Sequence, residues 1–297
     1  MINRDKNNLI AHVLLTVLTV SGVAIFSGQT VTAQTNLQSY RVLVNSDRDT
    51  INPDQSLTLR EAIEIVNNTL TWDDLSPVEQ KQVTVINQAQ ASRIEFALSA
   101  PVKIELQETL PPLLSPGLVI DGTTHPDYDP KKIATVEIPI PIPVVSLTAA
   151  EGKNVFRGLT ISGDRITVKG LSIYGFSQPN QPTDTTPGAD IVIGSRLPVS
   201  EDLSASLPDH SPQEVEIIDN WLGLPPDESI TEIPSSFGVW LFDGVNTKIQ
   251  RNRIEHHGGS AILTSVTAEK SKIKENIIVG NGLAGMPHAI YLEGQIQ

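Results

Sequence analysis

The sequence predicts an all-β fold of stacked repeats, a parallel β-solenoid with a short α-helical cap near its N-terminus. Three observations carry this. The pattern I-x-x-N-x-[IL] occurs at Ile217, Asn220 and Leu222, and again 32 residues later at Ile249, Asn252 and Ile254. It returns after 24 more at Ile273, Asn276 and Ile278. Short apolar segments lie between these units: Val239-Trp240-Leu241, Ile262-Leu263-Thr264 and Ile290-Tyr291-Leu292. A period in the twenties marks units that stack and share one core. Alternation such as Val239/Leu241 and Ile290/Leu292 has the period of a strand, not of a helix. Gly244, Gly258-Gly259 and Asn281-Gly282 punctuate the runs, where the chain must turn.

The repeated asparagines are predicted to form a structural ladder. Stacked at one corner, Asn220, Asn252 and Asn276 bond one another and satisfy turn backbone groups that would otherwise be buried unpaired. The same stacking places Glu216, Lys248 and Lys272 in one outward column and Asp219, Arg251 and Glu275 in another. Neighbours of opposite sign read as cross-strand pairs on a solvated face.

Taken in order, residues 1–33 read as a secretory signal peptide. Arg4 and Lys6 supply a basic end, residues 9–26 are largely apolar, and Val31-Thr32-Ala33 is a small-residue cleavage site. The competing reading is an uncleaved membrane anchor, because the apolar run approaches spanning length. Residues 34–92 form the opening strand and helical cap. Residues 41–44 are the strand. Thr58 and Glu61 make a T-x-x-E capping box that starts a helix running to about Val66. Ser76 and Glu79, with Pro77 between them, make a second box, so residues 57–91 are expected to be mostly helical and to cover the first strand edges. Residues 93–297 are the solenoid, with strands at 94–98, 102–106 and 118–120. Residues 123–132 read as a loop leaving the stack. Residues 138–143 alternate Ile and Pro, and proline cannot donate to a ladder, so they are an edge or an excursion. The pattern resumes at 156–161 and 166–173. Excursions rich in Pro, Ser and Thr follow at 177–188, 196–213 and 224–236.

Two further sets of residues narrow the fold. Ser56-Leu57-Thr58-Leu59-Arg60-Glu61-Ala62-Ile63 is similar to the SLREAI segment near the start of many bacterial surface β-helix proteins. The ordered series that follows it there reads here as Ile94-Glu95-Phe96, Ile104-Glu105-Leu106, Leu110-Pro111 and Ile120-Asp121-Gly122-Thr123-Thr124. Over residues 93–297 the chain resembles the right-handed parallel β-helix, or pectate-lyase-like, superfamily. That group is defined by architecture, so the resemblance implies a fold and a surface location more than a reaction.

Function classes are bounded by charge and by the missing motifs. A net charge of −13 excludes nucleic acid or an anionic polymer held by charge alone. An anionic polysaccharide would need bridging cations. The chain has no cysteine, so no disulfide framework supports it. Lyases on this fold use Ca²⁺ held by carboxylates with an Arg or Lys base, and hydrolases use carboxylate pairs. Neither pattern is intact here: Asp121, Asp164, Asp190, Asp219 and Asp243 each stand without a second carboxylate two positions away. Asp121 reads as a turn former. No catalytic residue, metal ligand or cofactor is assigned, with Ca²⁺ left open. His256 and His257 read as surface residues at a corner.

The candidate ligand patch is the outward side of the Val239, Ile262 and Ile290 strands. Trp240, Leu263 and Tyr291 are expected to stack there, with Phe242, Ser265 and Glu293 beside them; the exposed aromatics would stack on sugar rings, with Asp243 or Glu293 bonding hydroxyls. The alternative is that a loop such as 224–236 covers them. The expected function is a structural or adhesive module of an exported surface protein, facing a polysaccharide or cell-surface glycan. The alternative is a polysaccharide lyase or glycoside hydrolase. Residues 294–297 supply no terminal cap, so pairing of the last repeat with another chain, or a further C-terminal region, is also expected.

Overall fold

The structure is a computed structural model that describes residues 38–87, 89–99, 102–177, 188–195, 207–286 and 288–294. The expected signal peptide and most of the excursions at 177–188 and 196–213 lie outside the described residues. Among the described residues no helix is long and apolar enough to cross a membrane.

The fold is strand-rich, and its sheets are largely parallel. The first sheet has eight strands, in the spatial order β2 (Val83–Ile86), β1 (Ser39–Val44), β3 (Arg93–Phe96), β5 (Val119–Asp121), β8 (Thr167–Lys169), β11 (Glu216–Ile218), β14 (Lys248–Gln250) and β17 (Lys272–Lys274). The second has six: β4 (Lys103–Leu106), β6 (Val145–Ala149), β9 (Leu171–Tyr174), β12 (Trp221–Leu222), β15 (Arg253–Glu255) and β18 (Ile277–Val279). Five make the third: β7 (Arg157–Ile161), β10 (Ala189–Ile193), β13 (Val239–Asp243), β16 (Ile262–Thr267) and β19 (Ile290–Tyr291). Every pair is parallel except β1 with β2. From β8 onward the chain visits the first, second and third sheets in fixed rotation.

Register turns this rotation into columns of like residues. Ile94, Ile120, Val168, Ile217, Ile249 and Ile273 align in the first sheet. In the second, Ile104, Leu147, Ile173, Leu222, Ile254 and Ile278 align. The third aligns Leu159, Ile191, Val239, Ile262 and Ile290. Nearly all of these belong to one buried cluster, each apolar side chain contributing about 1.5–3 kcal/mol. Toward the last strands the column opens: Ile273 and Ile278 are half-buried, and Ile290 is 38% exposed.

The N-terminal region differs from the sequence expectation. Helix α1 (Leu59–Asn67) forms with the Thr58/Glu61 box complete, but residues 57–91 are not mostly helical. Ser76 and Glu79 do bond each other's backbone (2.7 and 3.2 Å), yet only a short 3₁₀ turn, Glu79–Gln82, follows. The next residues, Val83-Thr84-Val85-Ile86, are β-branched. They pair antiparallel with Ser39–Val42 as β2 instead of continuing a helix. The outer edge of β1 is therefore covered by a strand, while α1 packs beside it.

The Ile/Pro stretch is an excursion closed by an antiparallel bridge between Ile133 and Pro141. It sets Ile140 on the buried ring of Trp221, over which the Arg253 guanidinium lies at 4.6 Å. Arg253 in turn pairs with Glu255 (2.7 Å) and Glu228 (2.8 Å), so the 224–236 excursion is tied down to the second sheet.

Candidate functional site

Strands β13, β16 and β19 align Trp240, Leu263 and Tyr291 on the side of the third sheet opposite the main core. Together with Phe237, Phe242, Ser265, Val266, Met286, Glu293 and Gly294 they line a groove of about 570 Å³. Phe242 and Tyr291 are half-buried, and Glu293 is exposed at its rim. Tyr291 stacks on His288 at 5.4 Å, which occupies one face of its ring.

Two of the predicted residues sit differently from expectation. Trp240 is not an exposed stacking surface: it is 5% exposed. Phe237 meets it edge-on at 5.3 Å, and its Nε1 donates to Ser265 Oγ at 2.8 Å. A buried indole needs a partner for its N–H, and Ser265 supplies one. Trp240 is thus the floor of the groove. Asp243 is 0% exposed and does not reach the groove. Its carboxylate accepts from Ser195 N at 2.8 Å and from Ser211 Oγ at 3.1 Å, because β13 changes register between Leu241 and Asp243. Phe237 and Met286 belong to the site although the strand pattern alone does not single them out. Phe237 could have been found from its position at the close of the 224–236 excursion, immediately before β13.

The asparagines form a continuous hydrogen-bonded stack. Asn220 donates from its backbone N and its Nδ2 to Asn252 Oδ1, at 3.0 and 3.1 Å. Asn252 repeats both bonds to Asn276 Oδ1, at 2.9 and 3.0 Å. Each Nδ2 also donates to a carbonyl of the preceding repeat: Val168, Ile217 or Ile249. The charged columns pair as Lys248–Glu216 (3.3 Å) and Arg251–Asp219 (2.7 Å).

The remaining aspartates are engaged with other groups. Asp121 closes its turn by accepting from Thr123 N at 3.1 Å, and it also pairs with Arg93 (2.8 Å) and Lys169 (2.9 Å). Two cations against one buried carboxylate leave it unsuited to Ca²⁺, which requires six to eight oxygen ligands. Among the described residues no group of three or more His, Cys, Asp or Glu could hold a metal ion. The described residues around Asp121 do not fit a calcium site of the lyase kind.

His257 corrects the sequence reading most clearly. It is not a surface residue but 0% exposed. Its Nε2 lies 2.8 Å from Asp190 Oδ2, and its Nδ1 lies 2.8 Å from Asn281 Oδ1. Ser235 Oγ donates to the other oxygen of Asp190. Burial pushes the Asp190 carboxyl up, while His257 and Ser235 pull it back. The clue in the sequence was the spacing, since Asn281 follows His257 by the same 24 residues that separate Asn252 from Asn276.

These features define an all-β protein of largely parallel sheets with an aromatic-floored groove on one of them. In comparisons with family models and with curated proteins, nothing matches the chain.

Proposed function

We propose that this chain is an exported surface module, a right-handed parallel β-helix whose third sheet presents a carbohydrate-binding groove. The β-helix reading is supported by the rotation of the chain through three sheets and by the three aligned columns that share one core. Its hand follows from the strong right-handed preference of parallel crossovers and from the resemblance carried by residues 56–63 and 94–124. Export rests on the pattern of Arg4, Lys6, residues 9–26 and Val31-Thr32-Ala33.

The observation that carries the binding reading is the groove itself. Phe242 and Tyr291 offer ring surface, Met286 and Val266 offer apolar walls, and Glu293 places a carboxylate at the rim. Sugar rings have apolar C–H faces and hydroxyl edges, so such a lining suits them. Glycoside hydrolysis asks for a second carboxylate across the site. The groove's described lining includes Glu293 as its one carboxylate, which places binding ahead of the lyase or hydrolase alternative.

The test is a glycan array with the chain beginning at Gln34, run with and without Ca²⁺, alongside assays for new reducing ends and unsaturated uronate. Binding without turnover is expected. Phe242→Ala should weaken it about tenfold, the equivalent of about 1.4 kcal/mol. Turnover of any array sugar would overturn the reading in favour of an enzyme, and an array without a single binder would remove the groove's role altogether.

A further inference from the structure

Asp190, Ser235, His257 and Asn281 come from four separate segments and meet in the interior beside the groove. We propose that Asp190 and His257 form one buried proton-binding site, which latches the segment 235–238 under the groove and releases it when the shared proton is lost. The inference rests on this corner and not on any ligand of the groove.

Hydrogen bonding fixes the proton count. Asn281 Nδ2 donates to Ile254 O (3.0 Å) and Val279 O (3.2 Å), so its Oδ1 is the atom facing the imidazole. That oxygen accepts from His257 N at 3.1 Å and therefore also from Nδ1, which carries a proton. Nε2 and Asp190 Oδ2 lie 2.8 Å apart, and two bare lone pairs do not approach so closely; a second proton sits between them. The site is built for the ring: a Cβ on Gly223 would come within 2.6 Å of His257 Cε1, and one on Gly238 within 3.1 Å.

The latch is equally explicit. Ser235 Oγ joins Asp190 to Phe176, whose N–H it accepts at 2.9 Å. Asp190 N donates to Phe237 O at 2.9 Å and Ile191 N to Gly238 O at 3.0 Å. Phe237 is the ring that packs on Trp240. Other ionisable groups on the packed elements are Arg157, aligned with Ala189, and Arg253, Glu255 and His256 on the strand and corner leading to His257. Burial lowers Arg157 to about 10, still cationic at neutral pH. Arg253 and Glu255 pair at 2.7 Å, and His256 lies 3.9 Å from Glu255.

The sign follows from counting protons. The closed site holds two. Once opened to water, with the carboxylate ionised and the ring neutral, it holds one. Opening therefore releases a proton and becomes about tenfold easier per pH unit. Hydrogen exchange of the full chain between pH 7 and 9, corrected for intrinsic rates, should show protection of the amides that tie this segment down, those of Asp190, Ile191 and Ser236, falling about tenfold per unit. Amides of α1 serve as the reference and should stay flat. In Asp190→Asn the new amide donates to Nε2 and still accepts from Ser235, so the slope should vanish. A flat wild-type profile overturns the proposal, and needs no variant. So does an equal slope in Asp190→Asn, or a slope shared by α1.

Discussion

Replacing Asn252 by alanine removes the one acceptor shared by Asn220 N and Nδ2 and the donors to Ile217 O and Asn276 Oδ1. All of this happens at a residue with 0% exposure. Unpaired buried polar groups cost about 1–3 kcal/mol each, less whatever the site recovers by relaxing, so a loss of about 3 kcal/mol is expected. Asn276 makes the same kinds of bond but is half-buried, and water can replace them. Asn276→Ala should cost about 1 kcal/mol. Urea midpoints of the two variants decide the matter; equal losses would mean that burial does not set the ladder's worth. The asparagines were legible because they recur at one place in the pattern I-x-x-N-x-[IL], between apolar residues. His257 was not, because its partner Asp190 lies 67 positions away, on a segment that no local pattern links to it.

Strand type and order were legible from the alternation, and the turns less so. Glycine is the expected residue at a corner with positive φ. Here the first-sheet strands are flanked instead by Arg165, Glu214, Asn246 and Lys270 on entry, at φ 55–57°. Asp219, Arg251 and Glu275 flank them on exit, at φ 54–56°. A non-glycine residue in that region costs about 1 kcal/mol. Local side-chain bonds offset the cost at Arg251, which pairs with Asp219. Lys270 is exposed, so Lys270→Gly should raise stability by about 0.5–1 kcal/mol. Arg251→Gly should not, because the ion pair goes with it. Thermal melts of both variants test this, and a destabilised Lys270→Gly would show that its side chain matters after all. The missed β2 has the same kind of origin. A capping box announces where a helix can start, but the β-branched run after it and the open edge of β1 decide what forms.

At the scale of the whole molecule, charge and groove make one joint prediction about ligands. The chain carries −13, and the groove adds Glu293 at its rim. A uronate-rich polymer approaching this surface is repelled over roughly a Debye length, about 8 Å at physiological ionic strength. A neutral oligosaccharide is not, because its affinity comes from contact with Phe242 and Tyr291. Neutral glycans should therefore bind with little dependence on salt between roughly 50 and 500 mM. Oligogalacturonate should bind only weakly without Ca²⁺, and Glu293→Gln should strengthen that weak binding about two- to fivefold, in keeping with the modest worth of an exposed charge. Calorimetric titration of both sugar classes against wild type and Glu293→Gln reads all three effects. Tight, calcium-independent binding of the uronate would show that this acidic surface does not exclude anions.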